Sequence, residues 1–334
     1  MQFGHIDKFI LFGGGEILFL FARELLRRNL ETLVITSKRH AEEIITDGDN
    51  LKTTLEKAGI SLRVVKSLDS GEVTKEITGS AVGFSFGAAW IFKKDFIARF
   101  GGKLLNMHCT RLPQNRGGGG YSWIIMKGES VGARLLHLVD CGIDTGHIVR
   151  MEEYVYPPSC RKPVDYHEYN KSHQVRFLTT FIDDAMSGAE FELSVQQECF
   201  SSYFPRLNTD IHGFINWQWS TMELERFICA FDDPYKGAST FFEGIRVRVK
   251  DCVSMNSDGS FHPFQYGLVY RKAGRTLFVA ANGGSLVIRD VRDEDGNDIS
   301  DRIPAGGRLF TPAEYLENAM LYKAVYLPEG LKPE

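Results

Sequence analysis

At 334 residues the chain has room for two domains of ordinary size, and 43% hydrophobic with 25% charged residues is the balance of a globular protein that buries a core in each. A net charge of −4 and a pI near 6.2 lack the basic bias that usually marks nucleic-acid binders, and no stretch approaches the roughly 20 apolar residues of a membrane span or the apolar run of a secretion signal, so a cytoplasmic protein without a membrane partner is expected. The six cysteines, Cys109, Cys141, Cys160, Cys199, Cys229 and Cys252, are scattered with no CxxC pair and no His/Cys cluster at ligand spacing, which reads as reduced thiols and no metal.

In chain order, Lys8 to Phe12 reads as a strand ending at Gly13-Gly14-Gly15-Glu16, and Ile17 to Asn29 as a helix carrying Leu18, Phe21, Ala22, Leu25 and Leu26 at helical spacing. Thr32 to Thr36 reads as a buried strand. Strand, glycine turn, helix, strand is a βαβ unit, which requires parallel strands. The alternation continues with a helix over Asp49 to Ala58, a strand over Leu62 to Val65, a helical turn over Val73 to Ile77 and a strand over Ala81 to Phe86. A short helix over Lys94 to Arg99 and a strand over Lys103 to His108 follow. The fold class expected is α/β, with a doubly wound Rossmann-like parallel sheet. The Gly13–Gly15 turn can hold a phosphate at a helix start or serve as a bare tight turn; it is not G-x-G-x-x-G, and Ser37 stands where a dinucleotide site has an acid.

Beyond the glycine run Gly117–Gly120, Ser122 to Lys127 reads as helix, Ala133 to Val139 and His147 to Tyr156 as strands around a turn, and Val164 to Ser187 as a helix. Ser201 to Leu207 reads as a linker. Then the pattern changes. One helix, Glu223 to Ala230, precedes short alternating runs at Ile245 to Lys250, Gly267 to Arg271, Thr276 to Ala281 and Ser285 to Val291, separated by turn residues. That predicts a smaller, mostly-β barrel (OB-like) domain. The division expected is residues 1–205 and 210–330, with the tail beyond Leu327 frayed.

Asn106 and His108 are two apart at the carboxyl end of a predicted parallel strand, so they share a face at the edge where open α/β sheets place ligands. An amide beside an imidazole suits acyl transfer: one stabilises an oxyanion, the other takes a proton near neutral pH. Taken alone, N-x-H is more often a polar strand end with no chemistry. Cys109 to Gly120 is a loop whose glycines permit close approach to a ligand. Asp144 lies in the turn Asp140 to Gly146 between apolar Ile143 and small residues; partial desolvation can raise its pKa, or it can orient His108, or simply cap its own turn. His137, alternating with Leu136 and Leu138, can reach the site face but reads first as a satisfied strand histidine, and His147 reads as structural.

Together the stretches NMHCTRLPQNRGGGGYSWIIMKGE and VDCGIDTGHI resemble the N10-formyltetrahydrofolate-dependent formyltransferases, whose signature is N-x-H, L-P-x-x-R-G, W-x-I-x-x-G-E and D-x-G-x-D-T-G. Phe84 to Ile91, Tyr203 to Leu207, Ile215-Asn216-Trp217 and Asp233 to Ala238 carry weaker resemblance. The resemblance implies a formyl transferase with Asn106, His108 and Asp144 as the catalytic set, N10-formyltetrahydrofolate as cosubstrate, and no metal. It places the pterin against Phe86, Gly87, Ala88, Trp90 and Ile91 and against Val139, Asp140, Gly142 and Ile143. It gives the acceptor Arg116, Gly117, Gly118 and Tyr121. A protonated or proton-sharing His108 would help Asn106 hold the oxyanion.

The chain departs from the family at Cys109-Thr110, where many members have P-S, at the four-glycine run, and at Asn216, where an aspartate is usual. The first two flank the acceptor. A nucleotide-linked amino sugar is the favoured acceptor, its product feeding surface polysaccharide or glycan assembly; a homodimer and no nucleic-acid partner go with that reading. The alternative acceptor is initiator methionyl-tRNA, since Ile245 to Lys250 (IRVRVK) is basic although residues 290–301 are acidic. Glycinamide ribonucleotide is disfavoured by the extra β domain. A non-catalytic folate or nucleotide-sugar binder and a formyl-folate hydrolase are the remaining alternatives.

Overall fold

The computed structural model describes residues 1–46 and 48–332. Strand β1 (Lys8–Gly13) is buried on both faces from Phe9 onward, as its unbroken apolar run requires of a central strand. Helix α1 (Glu16–Arg27) buries Leu18, Phe21, Ala22 and Leu25 of the expected stripe, while Leu26 turns to solvent. β2 (Thr32–Thr36), helix α2 (Leu51–Lys57), β3 (Ser61–Val64), β4 (Ala81–Phe86) and β5 (Leu104–His108) complete a parallel array. Helix α3 (Gly120–Lys127) then leads into a hairpin of β6 (Val131–Leu138) and β7 (Ile148–Val155), followed by the long helix α4 (Pro163–Met186).

The seven strands run in the order β7–β6–β5–β4–β1–β2–β3, parallel from β3 to β5 and antiparallel where β6 and β7 add to the edge. The chain winds outward in both directions from β1 and β4. The carboxyl ends of those two strands mark the switch point at which such sheets open a crevice. The glycines there serve close packing. A Cβ on Gly13 would sit 2.1 Å from the Phe86 carbonyl oxygen, and one on Gly14 would strike His40 at 2.7 Å. Glu16, next in line, pairs with Lys171 at 2.9 Å and with His167 at 3.1 Å on α4.

The second half follows helix α5 (Thr221–Ala230), which starts in a Ser220–Glu223 capping box. A six-stranded antiparallel sheet is built from β8 (Ala238–Phe242), β9 (Ile245–Met255), β10 (Val269–Ala273), β11 (Thr276–Ala281), β12 (Gly284–Arg292) and β13 (Leu309–Phe310), in the order β10–β11–β12–β9–β8–β13. The chain is thus an α/β Rossmann-like domain followed by a mostly antiparallel β domain. One apolar core joins the two, running from Ile124 and Ile125 on α3 through Leu224 and Ile228 on α5 to Val247 and Ile288. The Ser122 hydroxyl donates to the Ala230 carbonyl at 2.8 Å across the same junction. No helix among the described residues is long and apolar enough to cross a membrane.

Two expectations need correction. Ser201 to Leu207 is not a plain linker: Tyr203–Phe204 pairs in parallel with Arg116–Gly117, because the glycine-rich loop leaves backbone groups that need partners. The tail is not frayed through residue 332. After helix α6 (Ala313–Leu321), Tyr326–Leu327 and Gly330–Leu331 pair, and the Arg39 amide donates to the Pro328 carbonyl at 3.3 Å.

Leu224 is fully buried between α3 and the second sheet. Leu224→Ala is expected to lower the free energy of unfolding by about 2–5 kcal/mol, read from the denaturant midpoint at constant slope. A change within 1 kcal/mol would show that this junction does not hold the core.

Candidate active site

Asn106 and His108 are the two partly exposed positions of β5, whose other three residues are buried. Period-two alternation turns both to one face. In the antiparallel pairing of β5 with β6, His137 lies directly opposite Asn106, so its ring stands on that face too. The Asn106 amide nitrogen is 3.0 Å from His137 Nε2 and 3.4 Å from Asp144 Oδ1. His137 Nδ1 faces the Leu138 carbonyl oxygen at 2.9 Å, which assigns a hydrogen there. The neutral ring therefore offers Nε2 to Asn106 as an acceptor; a protonated ring donates from Nε2 towards Asp144 Oδ1, 3.4 Å away.

His108 is oriented from its other side. Its Nε2 lies 2.9 Å from the Asn115 carbonyl oxygen and 2.7 Å from the Thr110 hydroxyl. A carbonyl partner requires Nε2–H, so in the neutral ring Nδ1 carries the lone pair, 3.9 Å from Asp144 Oδ2. Cys109-Thr110 thus has a use: the threonine hydroxyl, which also donates to the Asn115 carbonyl at 3.1 Å, locks the imidazole.

The turn that carries Asp144 explains its own sequence. Asp140 accepts from the Gly142 amide at 3.0 Å and from the Thr145 hydroxyl at 2.5 Å, so the first aspartate ties the turn. A Cβ on Gly142 would meet Thr145 Oγ1 at 2.1 Å, and one on Gly146 the Leu138 carbonyl at 1.7 Å. Asp144 sits at φ 54°, and its carboxylate is left for the site. It accepts the Gly117 amide at 2.8 Å, while Gln196 donates to the Asp144 and Gly146 carbonyls at 2.9 and 2.7 Å.

These contacts set the charges. Burial pushes the Asp144 carboxyl up, but its contact with the His137 ring, the positive charge His108 can carry and the Gly117 N–H outweigh it and hold the group at about 2, below the ordinary 3.8. Burial pulls His108 below the ordinary 6.5 and His137 adds to this, against the opposing Asp144 charge. The resting imidazole is therefore neutral near pH 7, a proton acceptor, which is the proton-sharing role of the two expected from the sequence rather than the protonated one.

A cavity of about 460 Å³ opens over this cluster. Gly87, Ala88, Trp90 and Ile91 form one wall, and Val139, Asp140, Gly142 and Ile143 another, with Gly117 and Gly118 beside the catalytic candidates. Ile91 and Ile143, 81% and 51% exposed, leave apolar surface at the mouth. Phe86, Arg116 and Tyr121 stand elsewhere. The Phe86 ring packs in the core against Phe21. Arg116 is buried and spans to Gln196 at 3.1 Å and Glu198 at 2.8 Å. The Tyr121 hydroxyl accepts from Asn170 at 3.1 Å inside a buried cluster with Tyr156 and Gln174. None of Gly13, Gly14 and Gly15 lines the cavity among the described residues. Sequence reasoning missed Thr110, Asn115, Gln196, Arg39 and Arg206, and ranked a site role for His137 second to a structural one; for His137 the signal was its alternation with Leu136 and Leu138 on the strand next to N-x-H, with a register that pairing alone reveals.

A family profile described as "Formyl transferase" matches residues 9–156, and one described as "Formyl transferase, C-terminal domain" matches residues 209–302. A methionyl-tRNA formyltransferase of Geotalea uraniireducens is 24% identical over 196 residues, covering 57% of this chain and 58% of its own, so the chain spans little more than half of that relative. Among solved structures, WlaRD, a sugar 3N-formyl transferase in the presence of dTDP and 5-N-formyl-THF, superimposes with a TM-score of 0.62 at 20% identity, over 87% of this chain and 99% of its own. The N-formyltransferase from Helicobacter canadensis in complex with folinic acid and dTDP-3-aminofucose does so with 0.61 at 18%, over 85% and 98%.

Because the Asp144 carboxyl is depressed in the folded state, the stability it confers is complete above its unfolded value of 3.8 and disappears as pH falls towards 2. Across that window the wild type should lose about 2 kcal/mol relative to Asp144→Asn, measured by urea unfolding at stepped pH. Parallel pH profiles for the two proteins would contradict the contacts assigned to this carboxylate.

Proposed function

Because the chain belongs to the formyl transferase family, we propose that it moves the formyl group of N10-formyltetrahydrofolate to the primary amine of a nucleotide-linked amino sugar. The observation that carries the reading is the convergence of Asn106, His108 and Asp144 in one cavity with a neutral, oriented imidazole. The apolar surface of Ile91 and Ile143 and the polar backbone of the two loops between them suit a flat heteroaromatic ring with amide edges. N10-formyltetrahydrofolate, when bound there, supplies an acyl carbon already activated for attack by an amine.

The chain's own residues do the rest. His108 Nδ1 takes the proton that the attacking amine sheds as its nitrogen bonds to the formyl carbon. Asp144 faces the imidazolium so formed and stabilises it, then shares the proton's return to N10 as the C–N10 bond breaks. Asn106 stabilises the developing oxyanion. Its amide hydrogens are held by His137 and Asp144, and the longer contact, to Asp144, is the one released as charge builds on the formyl oxygen. Gly117 keeps Asp144 ionised, and Thr110 and Asn115 keep Nδ1 directed inward.

Support for a sugar acceptor comes from the near-complete coverage of two sugar formyl transferases by this fold, and from the net charge of −4. The sequence relatives favour methionyl-tRNA as a second reading. Formyl transfer should therefore be assayed with dTDP-, UDP-, GDP- and CMP-linked amino sugars beside charged initiator tRNA. Turnover on one sugar nucleotide is expected, reduced by at least about 10²-fold in Asn106→Ala and by about 10²-fold or more in His108→Ala. Turnover on tRNA alone would overturn the acceptor, formate release without acceptor would point to a hydrolase, and folate binding without turnover would leave a binding protein. In the active enzyme, kcat/KM should fall on the acid side with a midpoint below pH 6.5. Asp144→Asn should move that limb lower still, since the carboxylate is what holds the imidazole up.

A further inference from the structure

The cavity over the catalytic cluster is also lined by two arginines and the carboxyl-terminal segment. Arg39 comes from the short helix Lys38–Ala41 that follows β2, Arg206 from the chain after Tyr203–Phe204, and Tyr326 from beyond α6. The guanidinium carbons of Arg39 and Arg206 lie 5.5 and 5.2 Å from the centre of the Tyr326 ring. Arg39 Nε and Nη2 are shielded from solvent yet have no hydrogen-bond partner. Among the described residues neither arginine has a carboxylate within the 4.0 Å of an ion pair; Glu43 is the acid whose charge reaches both. The local positive field is strong enough to be felt nearby: burial first, then the charges of Arg39 and Arg206, push His40 down to about 3. Shielded guanidinium donors without acceptors are costly unless a ligand completes them.

Arg206 also packs near the catalytic cluster. A Cβ on Gly118 would lie 2.9 Å from Arg206 Cβ and 3.3 Å from its Nε, and the adjacent Gly117 is the donor to Asp144. The pair is held in place by the tail, which runs as a strap across the mouth. The Arg39 amide donates to the Pro328 carbonyl, Asn208 donates to the Tyr326 hydroxyl at 3.1 Å, Lys66 pairs with Glu329 at 3.4 Å, and the Lys332 amide closes the strap on the Val325 carbonyl at 2.8 Å. Arg39 lies within the residues matched by the first family profile, whereas Arg206 and the strap lie outside those matched by either.

We propose that Arg39 and Arg206, braced by Tyr326 of the carboxyl-terminal strap, form a subsite for a diphosphate group. Resting on the proposed function, the diphosphate is that of the acceptor, which the subsite anchors while its amine reaches His108. Two planar guanidiniums, each able to donate bidentately, match a group with two phosphoryl centres better than a single carboxylate. The tetrahydrofolate partner carries carboxylates on its glutamyl tail, and the test separates the two sources.

Binding of inorganic pyrophosphate and, separately, of 5-formyltetrahydrofolate should be measured by calorimetry on the full chain and on Arg39→Gln, Arg206→Gln and Tyr326→Ala. The wild type should bind pyrophosphate, and each arginine variant should bind it at least about tenfold more weakly, as loss of a charge-assisted contact implies. Tyr326→Ala should weaken it to a lesser degree. Folate binding should be unchanged throughout, which also certifies that the variants are folded. Absence of pyrophosphate binding at millimolar concentration, equal affinity in all four proteins, or a loss confined to folate would each overturn the subsite. Should pyrophosphate bind as expected while only tRNA is formylated, the subsite stands and the sugar acceptor falls. On a turned-over sugar nucleotide, the arginine variants should raise KM for the acceptor with kcat nearly unchanged.

Discussion

The hydrogen bond from the Gly117 amide to the Asp144 carboxylate is the contact on which the rest of this site depends. It joins two loops that the chain could otherwise place independently, the glycine-rich segment after β5 and the turn after β6. A buried carboxylate left to itself would take up a proton. Held as an anion by this N–H and its histidine neighbours, Asp144 supplies a fixed negative charge beside His108 and Asn106. Gly117 can make that contact because it has no side chain: its φ is +102°, and a Cβ would lie 2.1 Å from the Phe204 carbonyl. The pairing of Tyr203–Phe204 with Arg116–Gly117 follows from the same constraint, and it carries Arg206 to the cavity.

Around this contact the charges fall into a consistent arrangement. The imidazole of His108 is kept neutral by burial and oriented by an acceptor on its far nitrogen, so Nδ1 carries the lone pair, 3.9 Å from the carboxylate. His137 and Asn106, opposite one another on neighbouring strands, close the fourth side. The sheet supplies rigidity where atoms must be placed to a fraction of an ångström, and the loops supply the backbone approach that a flat ligand needs. The second domain contributes through the core it shares with α3, which fixes the loop leading into that helix.

Much of this arrangement was legible before any coordinates. The order of strands and helices follows from apolar runs and turn residues, and the doubly wound topology from the handedness of crossovers. Asn106 and His108 had to share a face because strands have a period of two. Other expected site residues have side chains placed away from the cavity, for reasons that can be named. β4 is buried on both faces, so alternation could not say that Phe86 turns into the core while the residues after it reach the cavity. Arg116 sits among glycines that line the site, yet its side chain runs the other way to Glu198. Tyr121 opens a helix whose orientation depends on α4, and its hydroxyl goes to Asn170 there.

By itself the sequence determined the fold class, the strand carrying the amide and imidazole, and the turn carrying the aspartate, because each is written in local spacing within a few residues. Only the tertiary structure decided that His137 faces Asn106, because that rests on the register of an antiparallel pair. It likewise decided the tautomer of His108, which rests on a carbonyl seven residues away folding back onto it. It also brought Arg39, Arg206 and Tyr326 to one wall. Those three belong to segments far apart in the chain with no periodicity between them, and local sequence holds no record of a meeting that arises when a tail docks across the open end of a sheet.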